Sequence, residues 1–429
     1  MALDTVKASQ AYHTIRFGGI MIVGVALAKS ALPEADIETF EQLLFLAYTL
    51  TIFWVSGLSQ GLLVLYPKLS TEQGKRLTNG LMIVFSLITA LIGLAFVVAE
   101  PGILYALLGQ YEIDYFDLFI WYMLLNIPSF LVEYIYILQQ RARRLIFFAV
   151  VSFGGYVLAV SVPPLVGWPF EYSFYALIAL SIFRLVWLGF LASGYRPDSD
   201  TWLHFKQLVK LATPLLLYTL LANLTLVTDG MVVSHFLQDD NAFLMFRYGA
   251  RELPIAVTLA AATSNALLPI ISDSLEQGIV TVKERGRQLM HWLYPLSIVL
   301  MLTSEWFFPL VFRDTFVEAA VVFNVYLLLI LSRLVFPQTL LIGMGDTRWM
   351  LTASIIETLL NVGLSIWWVQ LYGLMGVAAA TVVAFFFEKI FLAVVLYRKT
   401  GIGVQRYTDL RWLTAYSTLL IAAWIWTLI

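Results

Sequence analysis

The chain has 429 residues, of which 60% are hydrophobic and 13% are charged, and its net charge is −2. A soluble domain is about 45–50% apolar and about 25% charged, so this composition excludes a soluble enzyme, a nucleic-acid-binding protein and a disordered regulator, and predicts a chain whose solvent is a lipid bilayer. The sequence contains no cysteine, which excludes disulfides, thiolate metal sites and a thiol nucleophile.

About thirteen apolar stretches are long enough to cross a membrane, since a spanning helix needs roughly 20 mostly apolar residues. They lie near 14–32, 42–66, 77–98, 116–138, 145–166, 172–192, 212–236, 247–270, 288–311, 317–342, 350–370, 374–397 and 412–428. The connections are short, and the longest, at 193–211, has the residue spacing of an interfacial amphipathic helix. The first stretch has no signal-peptide features and is predicted to be retained.

The distribution of Lys and Arg in the loops predicts the orientation of the chain. With the N-terminus in the cytoplasm, nearly all loop Lys and Arg residues fall on the inner face, and the outer loops carry only Arg313. The acidic residues show the opposite tendency. The sequence therefore predicts a multi-pass protein of the inner (plasma) membrane with a cytoplasmic N-terminus.

Two parts of the chain repeat each other faintly, six spans apart. The second span ends with SQGLL at 59–63 followed by Pro67, and the eighth ends with SNALL at 264–268 followed by Pro269. An offset of six spans preserves direction, which predicts parallel repeats. The predicted organisation is an N-terminal six-helix lobe at 1–195, a cytoplasmic interfacial linker at 196–211, a C-terminal six-helix lobe at 212–400 and an additional transmembrane helix at 401–429.

Ionisable residues inside predicted spans are expected to be functional, because inserting each one costs at least ~2.5–3.5 kcal/mol. Lys29, Asp229, Arg247, Arg251 and Glu252 lie in the outer parts of spans one, seven and eight. Arg247 and Arg251 are four residues apart, which predicts one shared helical face. Asp229 and Glu252 could separate the two guanidiniums and leave a site for a phosphate. The alternative is a snorkelling Arg247 and a structural pair of Arg251 with Glu252 or Asp229.

Other charged residues lie in the inner halves of the spans, among them Glu133, Arg184, Arg333 and Glu357. They could form pairs between helices or belong to a gate, and the sequence does not choose between these roles. The four histidines have no metal-ligand spacing, and there is no phosphate-binding nucleotide loop. We therefore expect no metal, no cofactor and no catalytic residues.

Three stretches resemble the multidrug/oligosaccharidyl-lipid/polysaccharide (MOP) exporter superfamily, especially its polysaccharide and O-antigen flippases. The first, at 205–237, has a basic interfacial part followed by a proline and then Asp229. The second, at 247–272, ends in Leu-Pro and a serine. The third, at 343–390, carries Asn361 in mid-helix and a glycine hairpin.

The resemblance implies an all-α fold of two parallel six-helix bundles in a MATE-like V shape, here with a thirteenth helix. It also implies rocking between inward and outward openings, around a cavity lined by spans one, two, seven and eight. In the flippases this cavity is cationic and receives the diphosphate and sugars of a polyprenyl-linked saccharide. The first two spans of this chain carry fewer basic residues than a strongly cationic cavity would have.

The predicted function is a flippase for a polyprenyl-diphosphate-linked oligosaccharide. Arg247, Arg251 and Lys29 are expected to bind the substrate, and Asp229 and Glu252 to orient the guanidiniums or carry a coupling proton. Expected partners are the lipid-linked oligosaccharide, membrane lipids and polysaccharide-assembly proteins, without nucleic acid. The alternatives are a cation- or proton-coupled multidrug antiporter of the same superfamily, a polytopic glycan transferase or ligase, and a non-transporting scaffold.

Overall fold

The computed structural model describes residues 5–192, 194–237, 241–251, 253–346 and 348–428, and the regular structure within them is helical. The first seven helices are α1 (Thr5–Lys29), α2 (Glu34–Leu65), α3 (Thr71–Leu108), α4 (Phe116–Asn126), α5 (Leu131–Leu138), α6 (Ala142–Leu165) and α7 (Glu171–Ala192). The next seven are α8 (Ser199–Phe236), α9 (Ala242–Gly249), α10 (Pro254–Asp273), α11 (Leu275–Val311), α12 (Val317–Leu327), α13 (Ile330–Arg333) and α14 (Pro337–Gly343). The last three are α15 (Arg348–Thr400), α16 (Val404–Tyr407) and α17 (Leu410–Trp426).

Within the described ranges, nine helical segments are long and apolar enough to cross a membrane, and the whole of α15 counts as one of them. The predicted class, an all-α multi-pass membrane protein, is confirmed. Some helices extend beyond the apolar stretches that predicted them. For example, α3 begins at a capping box in which Ser70 and Gln73 bond each other's backbone amides, and it ends where Gly109 adopts a φ of 72°.

Prolines interrupt three of the predicted spans. The fourth span consists of α4 and α5 joined by a 3₁₀ turn, Ile127–Phe130, that contains Pro128. The eighth span was predicted to be continuous and is not, because α9 ends at Gly249 and α10 begins at Pro254. The tenth is divided into α12, α13 and α14, the last of which begins at Pro337. Proline removes a backbone donor and disfavours helical geometry in the residue before it.

Two predicted connections are helical. The predicted interfacial stretch and the seventh span form the single helix α8, which begins at Ser199. The eleventh and twelfth spans both lie in α15 and are separated only by Gly373, whose φ of 57° and ψ of −137° suit glycine alone. A Cβ on Gly376 would collide with the carbonyl group of Trp368, so a second glycine is needed where the two halves of α15 approach.

The chain divides by its internal contacts into two units, Met1–Asn223 and Leu224–Ile429. The division falls within α8, and the predicted linker at 196–211 lies in the first unit. In the first unit α1 packs along α6, and α4 packs along α7. In the second unit α9 packs on α12, and α10 packs on α11 and α14.

The predicted thirteenth span is the helix α17, which packs against α11 in the second unit. The rings of Tyr416 and Tyr294 stack with their centroids 5.4 Å apart. The hydroxyl of Tyr416 also lies 2.9 Å from Nδ1 of His291. An ion pair between Arg406 and Glu276 connects the segment before α17 to the start of α11. The C-terminal helix is therefore an integral part of the second unit.

Candidate functional site

Asp229 of α8 is the most completely enclosed acidic side chain among the described residues of the second unit, with no solvent exposure. The hydroxyl of Thr381 donates a hydrogen bond to Oδ2 at 2.6 Å, and the hydroxyl of Tyr326 donates to the same oxygen at 3.3 Å. The hydroxyl of Ser365 donates to Oδ1 at 3.3 Å. A buried acid is tolerable only when it is hydrogen-bonded in this way, so α12 and both halves of α15 stabilise the carboxylate.

Asn361 completes this cluster one helical turn before Ser365. Its amide nitrogen donates to the hydroxyl of Thr381 at 3.1 Å. Its buried amide oxygen makes no hydrogen bond within the described part of the chain. A carboxylate beside hydroxyl and amide oxygens is an environment that binds a proton or a small hard cation. The Asp229 cluster, defined as Asp229, Tyr326, Asn361, Ser365 and Thr381, is the group of residues that could hold such an ion.

The two arginines predicted to bind substrate lie at the break in the eighth span, where their geometry differs from the prediction. Arg247 belongs to α9, whereas Arg251 lies beyond the end of that helix. They therefore do not share a helical face. Instead, Nε of Arg251 donates to the backbone carbonyl of Arg247 at 3.2 Å, and its guanidinium lies over the ring of Tyr248, 4.7 Å from the centroid.

The ring that supports Arg251 is itself fixed. Tyr248 is 1% exposed and makes edge-to-face contacts with Phe312 and Phe316, at centroid distances of 5.0 and 4.8 Å. The next residue, Gly249, approaches α12 so closely that a Cβ there would lie 2.6 Å from Cβ of Val322. The close packing of α9 on α12 thus restricts the position of Tyr248, whose ring contacts the guanidinium of Arg251.

The contacts of Asp229 differ from those predicted. Asp229 is hydrogen-bonded to hydroxyl groups rather than to the two guanidiniums. Lys29 is the last residue of α1 in the first unit, and its side chain is exposed. Glu252 lies outside the described residues. The roles of Lys29 and Glu252 therefore stay predictions.

Sequence reasoning missed three members of the Asp229 cluster: Tyr326, Ser365 and Thr381. The available signal was weak. Asn361 and Ser365 are polar residues spaced four apart in an apolar helix, which places them on one face. Hydroxyl side chains are common in membrane helices, where they bond to the backbone or between helices, so their presence alone does not mark a site.

Comparison with known proteins supports the fold. No family model matches the sequence, and no curated protein matches it. The structure is similar to that of the lipid II flippase MurJ in an inward closed conformation, with a TM-score of 0.73, 18% sequence identity and coverage of 99% of this chain and 92% of that one. It is also similar to a MOP superfamily transporter from Pyrococcus furiosus, with a TM-score of 0.57, 12% identity and coverage of 92% and 96%.

A MATE family multidrug resistance transporter in an inward-facing conformation is similar to the same degree, with a TM-score of 0.57, 13% identity and coverage of 91% and 94%. At these identities the likeness concerns the fold. The chain has the fold of the MOP superfamily transporters, and the resemblance seen in the sequence is confirmed at that level.

Proposed function

We propose that this protein, which has the fold of the MOP transporters, is a flippase for a polyprenyl-diphosphate-linked oligosaccharide. It moves this substrate from the cytoplasmic to the outer leaflet of the inner membrane by alternating access, and the product serves polysaccharide assembly. The orientation that this requires, with the N-terminus in the cytoplasm, is supported by the concentration of Lys and Arg in one set of loops.

The observation that carries the proposal is the geometry of Arg251. Nε of Arg251 donates to the carbonyl of Arg247, which ties the side chain to the last turn of α9. The ring of Tyr248 contacts the guanidinium, 4.7 Å from its centroid, and restricts its position. A guanidinium binds phosphate through charge-assisted hydrogen bonds, and one whose position is already fixed loses less side-chain freedom on binding.

The chemistry of the substrate explains why such residues are needed. An uncompensated charged group is extremely costly to transfer into hydrocarbon, so a carrier of a diphosphate must supply positive charge along its path. Arg251, Arg247 and Lys29 are the residues proposed to do so. The likeness to the lipid II flippase, with a TM-score of 0.73 against 0.57 for the MATE transporter, favours this substrate class.

The Asp229 cluster is proposed to bind the coupling ion, either a proton or a small monovalent cation. Its ligands come from α8, α12 and both halves of α15. Binding or release of an ion there changes the charge shared by these helices. The ion therefore binds more tightly to a conformation that brings these ligands together than to one that separates them. Such a difference in affinity is what couples ion binding to a conformational change.

Translocation can be measured with a fluorescent polyprenyl-diphosphate disaccharide in proteoliposomes, by the fraction accessible to a membrane-impermeant quencher. The wild type should equalise the probe between the leaflets, and the variant Arg247→Gln/Arg251→Gln should lose this activity. Arg313→Gln, which removes an arginine outside the predicted spans, is the matched control. Full activity in the double variant would refute the site. Mass spectrometry of lipids that co-purify with the wild type and the double variant would identify the natural substrate.

A multidrug antiporter is the second candidate, because Asp229 is an acid inside the membrane part of a protein that shares its fold with MATE transporters. Such a carrier would bind cationic amphiphiles through carboxylates. The guanidiniums of Arg247 and Arg251 oppose this by repelling cations. Expression in a strain that lacks its own drug pumps distinguishes the two candidates, since resistance to cationic drugs would favour the antiporter.

A further inference from the structure

A second buried acid lies in the first unit, in a different set of helices. Glu133 of α5 is 4% exposed. Its carboxylate accepts a hydrogen bond from the hydroxyl of Tyr12 on α1, and Oε1 lies 3.3 Å from Nε2 of His13 on the same helix. These three residues, Tyr12, His13 and Glu133, form what we call the α1–α5 cluster.

Two ionisable members of this cluster, Glu133 and His13, differ sharply in solvent exposure. The side chain of Glu133 is 5% exposed, whereas that of His13 is 57% exposed. The imidazole ring has two nitrogens, Nδ1 and Nε2, and here Nε2 faces the buried carboxylate. The imidazole therefore lies between the solvent and a carboxylate that is itself almost inaccessible to solvent.

The other charges around Glu133 do not exchange protons under ordinary conditions. Arg16, one turn along α1 from His13, supplies a positive charge next to the carboxylate, and its guanidinium lies 5.7 Å from the ring centroid of Phe130. Among the described residues, Tyr134 of α5 interacts electrostatically with Glu133, and Arg184 of α7 interacts with Tyr12. Tyr122 of α4 and Tyr156 of α6 act in turn on Arg184. Arginine and tyrosine keep their charge states near neutral pH, so His13 and Glu133 are the members that can change.

A structural role alone does not require the histidine. Arg16 already provides Glu133 with a permanent counter-charge, and Tyr12 provides it with a hydrogen bond. Histidine is the side chain whose unperturbed charge change falls between about pH 5 and pH 8, so an exposed imidazole adds a proton-exchanging group to the cluster. An acid retained inside a membrane helix despite its insertion cost is expected to work with such a partner.

We propose that the α1–α5 cluster is a proton-binding site of the first unit, in which His13 relays protons between water and Glu133. The imidazole takes a proton from water on Nδ1 and gives the proton on Nε2 to Oε1 of Glu133. The carboxylate becomes a carboxylic acid, and His13 becomes neutral again. The site is separate from the Asp229 cluster, which lies in the second unit, and it does not depend on the identity of the transported substrate.

Infrared difference spectroscopy tests the proposal directly, because a protonated carboxyl group has a carbonyl band that the carboxylate lacks. The whole protein in lipid is taken from about pH 8 to pH 5, the range in which histidine titrates. The wild type should gain a carbonyl band, and Glu133→Gln should lose that band. Glu305→Gln, which changes an exposed glutamate of α11, is the matched control and should retain it.

Two further variants test the roles of the neighbours. Tyr12→Phe removes the hydrogen bond to Glu133 and should shift the band to higher frequency, which assigns it even if Glu133→Gln does not fold. His13→Gln should slow proton uptake after an acid jump by about 10²-fold, the lower range for a positioned acid–base group. The proposal is overturned if the band persists in Glu133→Gln, if no band forms in the wild type, or if His13→Gln takes up protons at the wild-type rate.

Discussion

Gly249 offers the sharpest test of how the proposed substrate arginine is held. The residue lies at the end of α9, where the helix packs on α12. Replacing it with alanine would put a Cβ 2.6 Å from Cβ of Val322 and closer still to the carbonyl oxygen of Ala319. The carbonyl oxygen belongs to the backbone of α12 and cannot rotate away, so α9 as a whole must move.

The size of the effect follows from two opposed terms. Ordinary contact between carbon atoms is about 3.5–4.0 Å, so α9 must separate from α12 by roughly 1 Å. Overpacking of this kind costs about 1–3 kcal/mol. Alanine gains up to about 1 kcal/mol over glycine in a helix interior, and less at a helix end. We therefore expect Gly249→Ala to lower the free energy of unfolding by about 1–2 kcal/mol.

The displacement should also affect binding, because Tyr248 precedes Gly249 and supports Arg251. A shift of roughly 1 Å in a positioning group can reduce activity by about 10²-fold. The affinity for a polyprenyl diphosphate in lipid nanodiscs should therefore fall more than the loss of stability explains. Isothermal titration calorimetry measures the affinity, and unfolding in detergent micelles measures the stability.

Gly363 is the matched control, since it lies inside α15 and a Cβ added to it would meet nothing within 4 Å. Gly363→Ala should raise the unfolding free energy by about 0.5–1 kcal/mol and leave diphosphate binding unchanged. If Gly249→Ala were as stable as the wild type and bound the diphosphate equally well, the close packing of α9 on α12 would not be what holds the arginine.

Two further predictions concern carboxylates in the second unit. Thr381→Val should lower the unfolding free energy by about 1–2 kcal/mol, a value between the average for hydrogen bonds among membrane helices and that for hydrogen bonds to charged groups. Ser365→Ala removes a longer hydrogen bond to Asp229 and should lower the unfolding free energy by less. The reverse order in detergent unfolding would contradict the assigned geometry. The hydrogen bond from Lys399 lowers the pKa of Asp346, so this carboxylate stabilises the fold above the pKa of the unfolded chain and loses that contribution as the pH falls through its lowered pKa. Asp346→Asn should therefore reduce the Tm at neutral pH and flatten its decrease in acid, whereas an unchanged acid limb would count against the bond.

The helices were predictable because the length of an apolar stretch, the quantity used to predict a membrane span, can be read from consecutive residues. Each predicted span corresponds to a helix or to a helix with a break. Pro128, Pro254 and Pro337 each lie at a break, whereas the break between α12 and α13 has no proline. The length criterion cannot detect where a helix continues past the apolar region. It therefore divided α8 (Ser199–Phe236), whose first residues have the composition of an interfacial segment.

The candidate site was predictable only in part. Charges inside the membrane are rare, so Asp229 and the arginines were visible in the sequence. The spacing of Arg247 and Arg251 predicted a shared face, and the prediction is wrong because Pro254 follows and the helix has already ended at Gly249. A proline so close after the pair was the sequence signal for this break.

The partners of Asp229 could not be predicted because they lie far away along the chain. Tyr326 is 97 residues from Asp229, and Thr381 is 152 residues from it. No local pattern connects residues at such separations. Their hydroxyl groups become significant only when tertiary packing brings α12 and α15 around the end of α8.

The chain reverses direction at Gly373 inside α15, and no loop separates the two halves of the helix in which chain length could vary. Asn361 and Ser365 precede Gly373, and Thr381 follows it, so an insertion near the reversal acts directly on the ligands of one carboxylate. A single added residue rotates the following helix by about 100°, since a turn takes 3.6 residues. Thr381 would then face away from Asp229. Insertions and deletions at Gly373 should therefore be among the least tolerated in the protein.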